Sequence, residues 1–406
     1  MSILSSSLSR IKPSPTMATT QKASDLKESG KEIIALTVGE PDFDTPDNIK
    51  EAAIKAIKAG KTKYTTVDGT NELKKAIVMK FERENNLKFN IENISVGAGG
   101  KQVIYNCILA TINPGDEVII PSPYWVSYPD IVLLAGGTPI FVEGKEENNF
   151  KITADQLQQS ITNKTKWFIL NSPCNPTGMC YSRSELSALV TVLKNNKHVN
   201  ILTDDIYEHI FYENPKGSNN SKFVNILEIE DSLRERTVII NGVSKSYAMT
   251  GWRIGYAAGP KEVIKGIQKI QSQSTTNPSS ISQAAAVEAL NGVQNFIKTR
   301  SLEFEKRRDF VVTGLNNIKG LSCLNPGGAF YVFPNCKKTM NKKTKYGKII
   351  KDDTDFVNYL LEDTGVAVVQ GSAFGAEGYF RVSYATSMEL LEKALQKIKN
   401  FCETLN

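Results

Sequence analysis

The stretch NGVSKSYAMTGWRIGYAAG, residues 241–259, places Lys245 shortly after the apolar run Thr237-Val238-Ile239-Ile240. That run has the length and β-branched content of a buried strand. Gly251-Trp252-Arg253-Ile254-Gly255 reads as a second short strand bounded by glycines. An ammonium at the mouth of a buried strand is costly unless it is paired. An amine whose pKa is lowered by such a position can instead form a Schiff base with a carbonyl. Ser244 and Arg253 flank the lysine, and together they suit a phosphate. A Schiff-base lysine beside a phosphate site points to pyridoxal phosphate. The alternative is a surface lysine in a strand-turn-strand unit. Taken alone the stretch favours that alternative, so the remainder of the chain decides.

With 406 residues the chain can bury a large core and has the length of two or three domains. Its 40% hydrophobic and 23% charged residues are ordinary for a globular protein, and the net charge of +6 is modest. Seven lysines fall in one run, KKTMNKKTKYGKIIK at 337–351. Such a run can touch nucleic acid or an acidic membrane. No arginine or aromatic pattern accompanies it, so it reads as a solvated, partly mobile insertion, with no nucleic-acid partner expected. The six cysteines contain no C-x-x-C pair and several sit in apolar runs, which fits reduced thiols in the cytoplasm. Two histidines, His198 and His209, are too few for an ordinary zinc site, and no metal is expected. No apolar run is long enough to span a bilayer; the nearest, 131–142, is broken by Gly136-Gly137 and Pro139. The N-terminal MSILSSSLSRIKPSPT is serine-rich and free of acids, the composition of a transit peptide.

Hydrophobic spacing predicts helices over 19–31, from Pro46 to Gly60, and over 71–84. A strand over 33–38 leads into the turn-rich loop Gly39-Glu40-Pro41-Asp42-Phe43-Asp44-Thr45-Pro46. Strands and helices then alternate, with strands at 94–96, 117–120, 138–142, 167–170, 200–203, 238–240 and 254–258. Several of these are continuous apolar runs, the mark of a sheet covered by helices on both faces. A long helical region follows from 261 to about 318, and a shorter α+β pattern closes the chain. The expected organisation is α/β: an N-terminal arm (1–17), a small α+β domain from both chain ends (18–46 and 300–406), and a large domain (47–299) with a mostly parallel sheet.

Several turns between these elements carry chemistry. Gly97-Ala98-Gly99-Gly100-Lys101 opens a helix directly after a strand, where free N–H groups attract phosphate. A plain strand-helix turn is the alternative. Asp204-Asp205-Ile206-Tyr207 ends a buried strand; Asp204 can face a cationic ring nitrogen and Tyr207 a ring oxygen, unless the acids merely cap a helix. Asn171-Ser172-Pro173-Cys174-Asn175-Pro176 makes a rigid turn at a strand's carboxyl end, where α/β folds bind ligands. Trp125 offers a face for stacking on a ring, or belongs to the core. Arg381, inside the apolar strand Phe380-Arg381-Val382-Ser383-Tyr384, wants a carboxylate from a substrate or from an internal salt bridge. Together these are the parts of a pyridoxal-phosphate enzyme that handles amino acids.

Across nearly its whole length the chain resembles the class I aminotransferases of pyridoxal-phosphate fold type I. The resemblance rests on GEPDFDTP, KYTTVDG, GAGGKQ, SPYWVSYP, NSPCNPTG, TDDIYEH, SKSYAMTGWRIGY, GGAFYVF and FRVSYATS, in that order. It is nearest to the bacterial aspartate aminotransferase subgroup, whose members often also accept prephenate. The resemblance implies that Lys245 holds the cofactor and shuttles a proton. Asp204 pairs with the ring nitrogen, and Tyr207 and Asn175 contact the ring oxygen. Gly99, Gly100, Lys101, Ser244 and Arg253 surround the phosphate, and Trp125 stacks on the ring. Tyr64 would reach the phosphate of a neighbouring subunit, which implies a homodimer with shared sites. Arg381, Asn175 and the Gly39 backbone would bind the α-carboxylate, and Trp125 would also border the substrate. Lys101, aided by Thr16 of the other subunit, would hold a distal carboxylate. Lys12 matches the position associated with prephenate, so KPSPT counts against a cleaved leader. The implied reaction moves the amino group of L-aspartate to 2-oxoglutarate, giving oxaloacetate and L-glutamate. Prephenate would become arogenate with glutamate or aspartate as donor. A different amino-acid range or a lyase reaction on the same cofactor is the alternative; a catalytically silent regulator would lack the lysine or carry a DNA-binding extension. Cys174, Gln370 and the lysine-rich insertion depart from the usual pattern.

Overall fold

A computed structural model describes residues 3–13, 15–212 and 222–406, with the side chains of 15–20 outside the description. Strand β1 is Ile34–Ala35. The next seven are β2 (Ile94–Gly97), β3 (Glu117–Ser122), β4 (Thr138–Glu143), β5 (Thr165–Asn171), β6 (Asn200–Asp204), β7 (Thr237–Gly242) and β8 (Gly255–Ala258). The last are β9 (Tyr331–Val332), β10 (Val366–Ala367), β11 (Val369–Gln370) and β12 (Phe380–Ser383). Among the described residues one seven-stranded sheet runs in the order β2-β8-β7-β6-β5-β3-β4. All its pairings are parallel except those of β8, which lies antiparallel to β2 and β7. The expected α/β architecture with a mostly parallel sheet is therefore present.

The continuous apolar runs follow from burial of both sheet faces. On β5, Phe168 and Leu170 join one core cluster while Trp167 and Ile169 join the cluster on the opposite face. On β7, Ile239 faces the first cluster, and Val238 and Ile240 the second. Each such side chain contributes about 1.5–3 kcal/mol when fully buried. Residues from both chain ends form a third core. β1 pairs in parallel with β10, and the three-stranded sheet β11-β12-β9 lies nearby.

Three expectations need correction. The strand expected over 251–255 is a tight 3-10 turn, Thr250–Trp252, followed by Arg253 at φ 56°, and β8 begins only at Gly255. A Cβ at Gly255 would strike the Gly100 nitrogen, so the close approach of β8 to the glycine loop requires glycine there. The strand expected over 33–38 is regular only at Ile34–Ala35, because beyond it the Thr37 and Gly39 carbonyls accept from Arg381 and Lys245. The helical region after 261 is three helices, Lys261–Ser272, Ser280–Asn291 and Asn295–Asn316, separated around Pro278 and Gly292.

The lysine-rich run is largely exposed, as its composition requires, but it is docked. Thr339, Thr344 and Ile350 are buried, Lys345 and Lys348 pair with Asp363 and Glu362, and Lys343 exchanges backbone bonds with Asn406. All six cysteines are free. Among the described residues no helix is long and apolar enough to cross a membrane.

A buried polar network braces the sheet from the face opposite Asp204. Lys80, with 0% of its side chain exposed, pairs with Glu208 and donates to Asn85 Oδ1 at 2.9 Å. Glu208 also accepts from Asn241 Nδ2 at 2.8 Å, joining the β6 turn to the end of β7. Removing one partner of a buried pair leaves an uncompensated charge. Lys80→Met should therefore cost ~3–5 kcal/mol in denaturant unfolding, and Lys80→Met with Glu208→Gln should recover a large part of it.

Candidate active site

The carboxyl ends of β5, β6 and β7 open into a cleft of about 460 Å3, closed on the other side by residues 37–40, Tyr331 and Arg381. Parallel register brings the strand ends level, with Asn171 opposite Asp204 and Asp204 opposite Ile240. Lys245 lies in the turn after β7, and its Nζ donates to the Gly39 carbonyl at 2.6 Å. Burial first, and then the Arg381 cation, lowers the amine from its ordinary range to about 8. A lysine in this state has a substantial free-base fraction near neutral pH, which nucleophilic chemistry requires.

Asp204 lies in the cleft floor. Its carboxylate accepts from the Tyr128 hydroxyl at 2.6 Å and the Ile206 N–H at 3.4 Å. Burial still raises its pKa, against these bonds and the attraction of Lys245. A buried acid held by neutral donors has room for a cationic partner. The neighbouring acid does something else. Asp205 turns to the far face, where the Thr203 hydroxyl and Asn225 Nδ2 each donate at 2.5 Å, and burial pushes it up to about 8. His209 pairs with Glu84 at 2.8 Å beside the Lys80 network, outside the cleft lining. The helix-capping alternative for the acid pair is thus replaced by two opposite orientations of adjacent residues.

The glycine loop and the turn after β7 form a basic corner. Gly99 has φ 90°, and a Cβ there would run into the Arg253 guanidinium. Arg253 donates to the Thr250 carbonyl at 2.8 Å and the Ala98 carbonyl at 3.3 Å. Gly100 begins the helix Gly100–Thr111, whose N-terminus adds positive potential. Lys101 Nζ lies 5.0 Å over the half-buried Trp125 ring, and partial burial followed by Arg253 lowers its pKa. Ser244 completes the corner. This donor set fits an anion, which would relieve the mutual repulsion of the two cations.

Arg381 provides a second anion site. Nη1 donates to Asn175 Oδ1 at 2.8 Å and Nη2 to the Thr37 carbonyl at 2.5 Å. Nε is buried without a partner, and among the described residues no carboxylate pairs with this arginine. The internal salt bridge allowed by the sequence is absent from those residues, so the guanidinium has donors to spare. Tyr331 and Phe374 stack against it, 4.6 Å and 4.9 Å from the guanidinium to the ring centres. Tyr207 lines the cleft with its hydroxyl 2.8 Å from that of Tyr331. Asn175 is held by its own N–H donating to Asn171 Oδ1, and Asn171 donates to the Asp204 carbonyl, each at 2.8 Å.

The cleft therefore gathers Gly39, Gly100, Lys101, Trp125, Asn175, Asp204, Tyr207, Ser244, Lys245, Arg253 and Arg381, with Gly99 under Arg253. Among the described residues it does not gather Tyr64 or Lys12. Tyr64 is 91% exposed and projects from the surface. Lys12 is exposed on the N-terminal arm, where its backbone N–H donates to Asp130. The Thr16 side chain lies outside the described residues. Sequence reasoning missed Tyr128, Tyr331 and Thr37. Tyr128 had a signal, since it follows Trp125 at helical spacing and meets its ring edge-on at 5.2 Å. Tyr331 and Thr37 had none beyond membership of apolar strands. Cys174 is oriented toward the Pro123 carbonyl at 3.6 Å, and burial pushes its thiol up to about 11.

A mostly parallel α/β sheet whose carboxyl edge carries a lysine, a buried acid and two anion sites defines a group-transfer enzyme scaffold. The family model described as aminotransferase class I and II matches residues 31–398, and the chain belongs to that family. A probable aspartate/prephenate aminotransferase of Rickettsia bellii is 57% identical over 405 residues, covering 100% of both chains. An aspartate/prephenate aminotransferase of Cereibacter sphaeroides is 55% identical over 406 residues, again with 100% coverage of both. The crystal structure of the aspartate aminotransferase from Rhizobium meliloti superposes with a TM-score of 0.96 at 50% identity, covering 100% of each chain.

In protein stripped of small molecules, Lys245 should react with an amine-modifying reagent with a midpoint near pH 8, well below ordinary lysines. Arg381→Met should raise that midpoint, as read by mass spectrometry of the labelled peptide.

Proposed function

We propose that this chain transfers the amino group of L-aspartate to 2-oxoglutarate with pyridoxal phosphate as cofactor, and that it also accepts prephenate. The observation that carries the reading is the convergence of the Lys245 amine, the buried Asp204 and the spare donors of Arg381 on one cleft. The relatives' names supply the substrates, aspartate and prephenate. Bound here, pyridoxal phosphate supplies a carbonyl that captures amino groups and a cationic ring that accepts electrons from the α-carbon.

The chain's residues divide the remaining work. The basic corner of Gly99, Gly100, Lys101, Ser244 and Arg253 takes the phosphate, and Trp125 takes the ring face. Asp204, backed by Tyr128, keeps the ring nitrogen protonated, which maintains the electron sink. Tyr207 and Asn175 donate to the ring oxygen. Arg381, with Asn175 and the Gly39 backbone, holds the α-carboxylate and so orients the α-C–H toward Lys245. Lys245 would hold the cofactor at rest and, as a free amine, would take up the α-proton of the bound amino acid. Its lowered pKa supports that role, since a general base should be poised near the working pH. Lys101 takes the distal carboxylate of a dicarboxylic substrate.

We further propose a homodimer in which Tyr64 and Thr16 serve the partner's site. The extreme exposure of Tyr64 supports this. Residues 18–46 and 300–406 are read as one domain, carrying Arg381 and Thr37, set against a second domain at 47–299 that carries Lys245. The buried free thiols support a cytoplasmic placement.

Coupled assays of aspartate with 2-oxoglutarate, and of prephenate with glutamate or aspartate, test the substrate range. No transfer to any oxoacid would overturn the reading in favour of a lyase or another activity. Borohydride reduction should fix the cofactor's mass to wild-type protein but not to Lys245→Ala, which should also lose at least about 10^4-fold in turnover. Lys12→Ala should lower kcat/KM for prephenate several-fold more than for aspartate; equal loss would refute a prephenate-specific role.

A further inference from the structure

The contact between Tyr331 and Tyr207 points to a further positioning residue for the proposed reaction. Tyr331 is fully buried on β9 and pairs with Ser383 of β12. Arg381 lies two residues before Ser383 on the same face of that strand, so the two side chains are diagonal cross-strand neighbours. This places the guanidinium over the Tyr331 ring at 4.6 Å. The Tyr331 hydroxyl reaches past Gly39, where a Cβ would collide with it, and ends 2.8 Å from the Tyr207 hydroxyl. Tyr331 therefore touches the carboxylate clamp, the loop that accepts from Lys245, and the phenol assigned to the cofactor's ring oxygen.

We propose that Tyr331 donates its hydroxyl proton to the Tyr207 oxygen, which commits the Tyr207 proton to the cleft and makes Tyr207 a stronger donor there. This rests on the pyridoxal-phosphate reading above. Two phenols at hydrogen-bond distance share one proton between them, and the more acidic one donates. The Arg381 guanidinium lies 4.6 Å from the Tyr331 ring centre, whereas the cation over the Tyr207 ring, Lys245, is 6.0 Å away, and the nearer cation makes Tyr331 the more acidic phenol. Tyr331 is therefore the donor. A donor that itself accepts a hydrogen bond is polarised and binds its acceptor more tightly. The charged groups facing the pair are Arg381 and Asp204, with Lys245 over the Tyr207 ring at 6.0 Å. Glu40 and Arg253 act further along the cleft, through Lys245.

The consequence is spectroscopic. A weaker donor at the ring oxygen holds the cofactor's proton more tightly, so the visible absorbance of the loaded enzyme titrates at higher pH. Tyr331→Phe keeps the ring under Arg381 and removes only the hydroxyl. Its absorbance midpoint should rise by about half to one pH unit, the net value of one hydrogen bond. KM for aspartate should remain within about twofold, because the surface facing Arg381 is retained. The decisive arm is a double-mutant cycle: in a Tyr207→Phe background, Tyr331→Phe should move the midpoint no further, because Tyr331 acts through Tyr207. An unchanged midpoint in Tyr331→Phe overturns the proposal. The same displacement with and without Tyr207 also overturns it, since it would mark a general loosening of the core. Wild-type enzyme that acquires no visible band from added pyridoxal phosphate would instead defeat the cofactor reading itself.

Discussion

The register of three parallel strands sets the site. Asn171, Asp204 and Ile240 stand level at the carboxyl ends of β5, β6 and β7. The turns that follow then have no choice but to deliver Asn175, Tyr207 and Lys245 to the same edge. A slip of one residue would turn Asp204 to the far face and Asp205 into the cleft. The apolar cores on both sheet faces prevent this, because the same slip would exchange every inward and outward side chain. Core packing and site geometry are thus one constraint seen at two distances.

Electrostatics then give the cleft its character. Lys101, Lys245, Arg253 and Arg381 line it, opposed chiefly by Asp204 and Glu40. Two lysines respond to partial removal from water and to neighbouring cations by a lowered pKa. Asp204 responds to the same enclosure in the opposite sense. Such an arrangement is unfavourable for the empty protein and becomes favourable with anions and one ring cation in place. The structure holds this strain through contacts outside the cleft. Lys80, Glu208 and Asn241 tie the β6 turn to β7, while Tyr128 supports Asp204 from the helix Ser127–Leu134.

The loop Gly39–Pro46 joins the two sides. Gly39 accepts from Lys245, Thr45 donates to the Ala248 carbonyl at 2.6 Å, and Asp42 pairs with Arg307 at 2.7 Å. Arg300 stacks between Phe43 and Phe296, at 4.9 Å and 5.0 Å. One segment therefore touches the lysine turn on one side and the long helix Asn295–Asn316 on the other.

The sequence by itself determined the alternation of strand and helix, the double-sided burial of the sheet, and most of the residues at its edge. These are local properties: apolar runs, glycines before a helix, and a lysine or acid at the end of a buried run, each legible within a dozen residues. It left open whether the two adjacent acids merely cap a helix, and it did not show that the chain after Trp252 turns left-handed at Arg253 before β8 begins. Nor did it reveal Tyr128 and Tyr331, whose roles come from contacts across long stretches of chain. Only the tertiary structure decided those points, because side-chain direction at a strand end depends on neighbouring strands and on what packs behind them. For Lys245 the sequence supplied the amine, and the fold supplied the burial and the Arg381 cation that bring it to about 8.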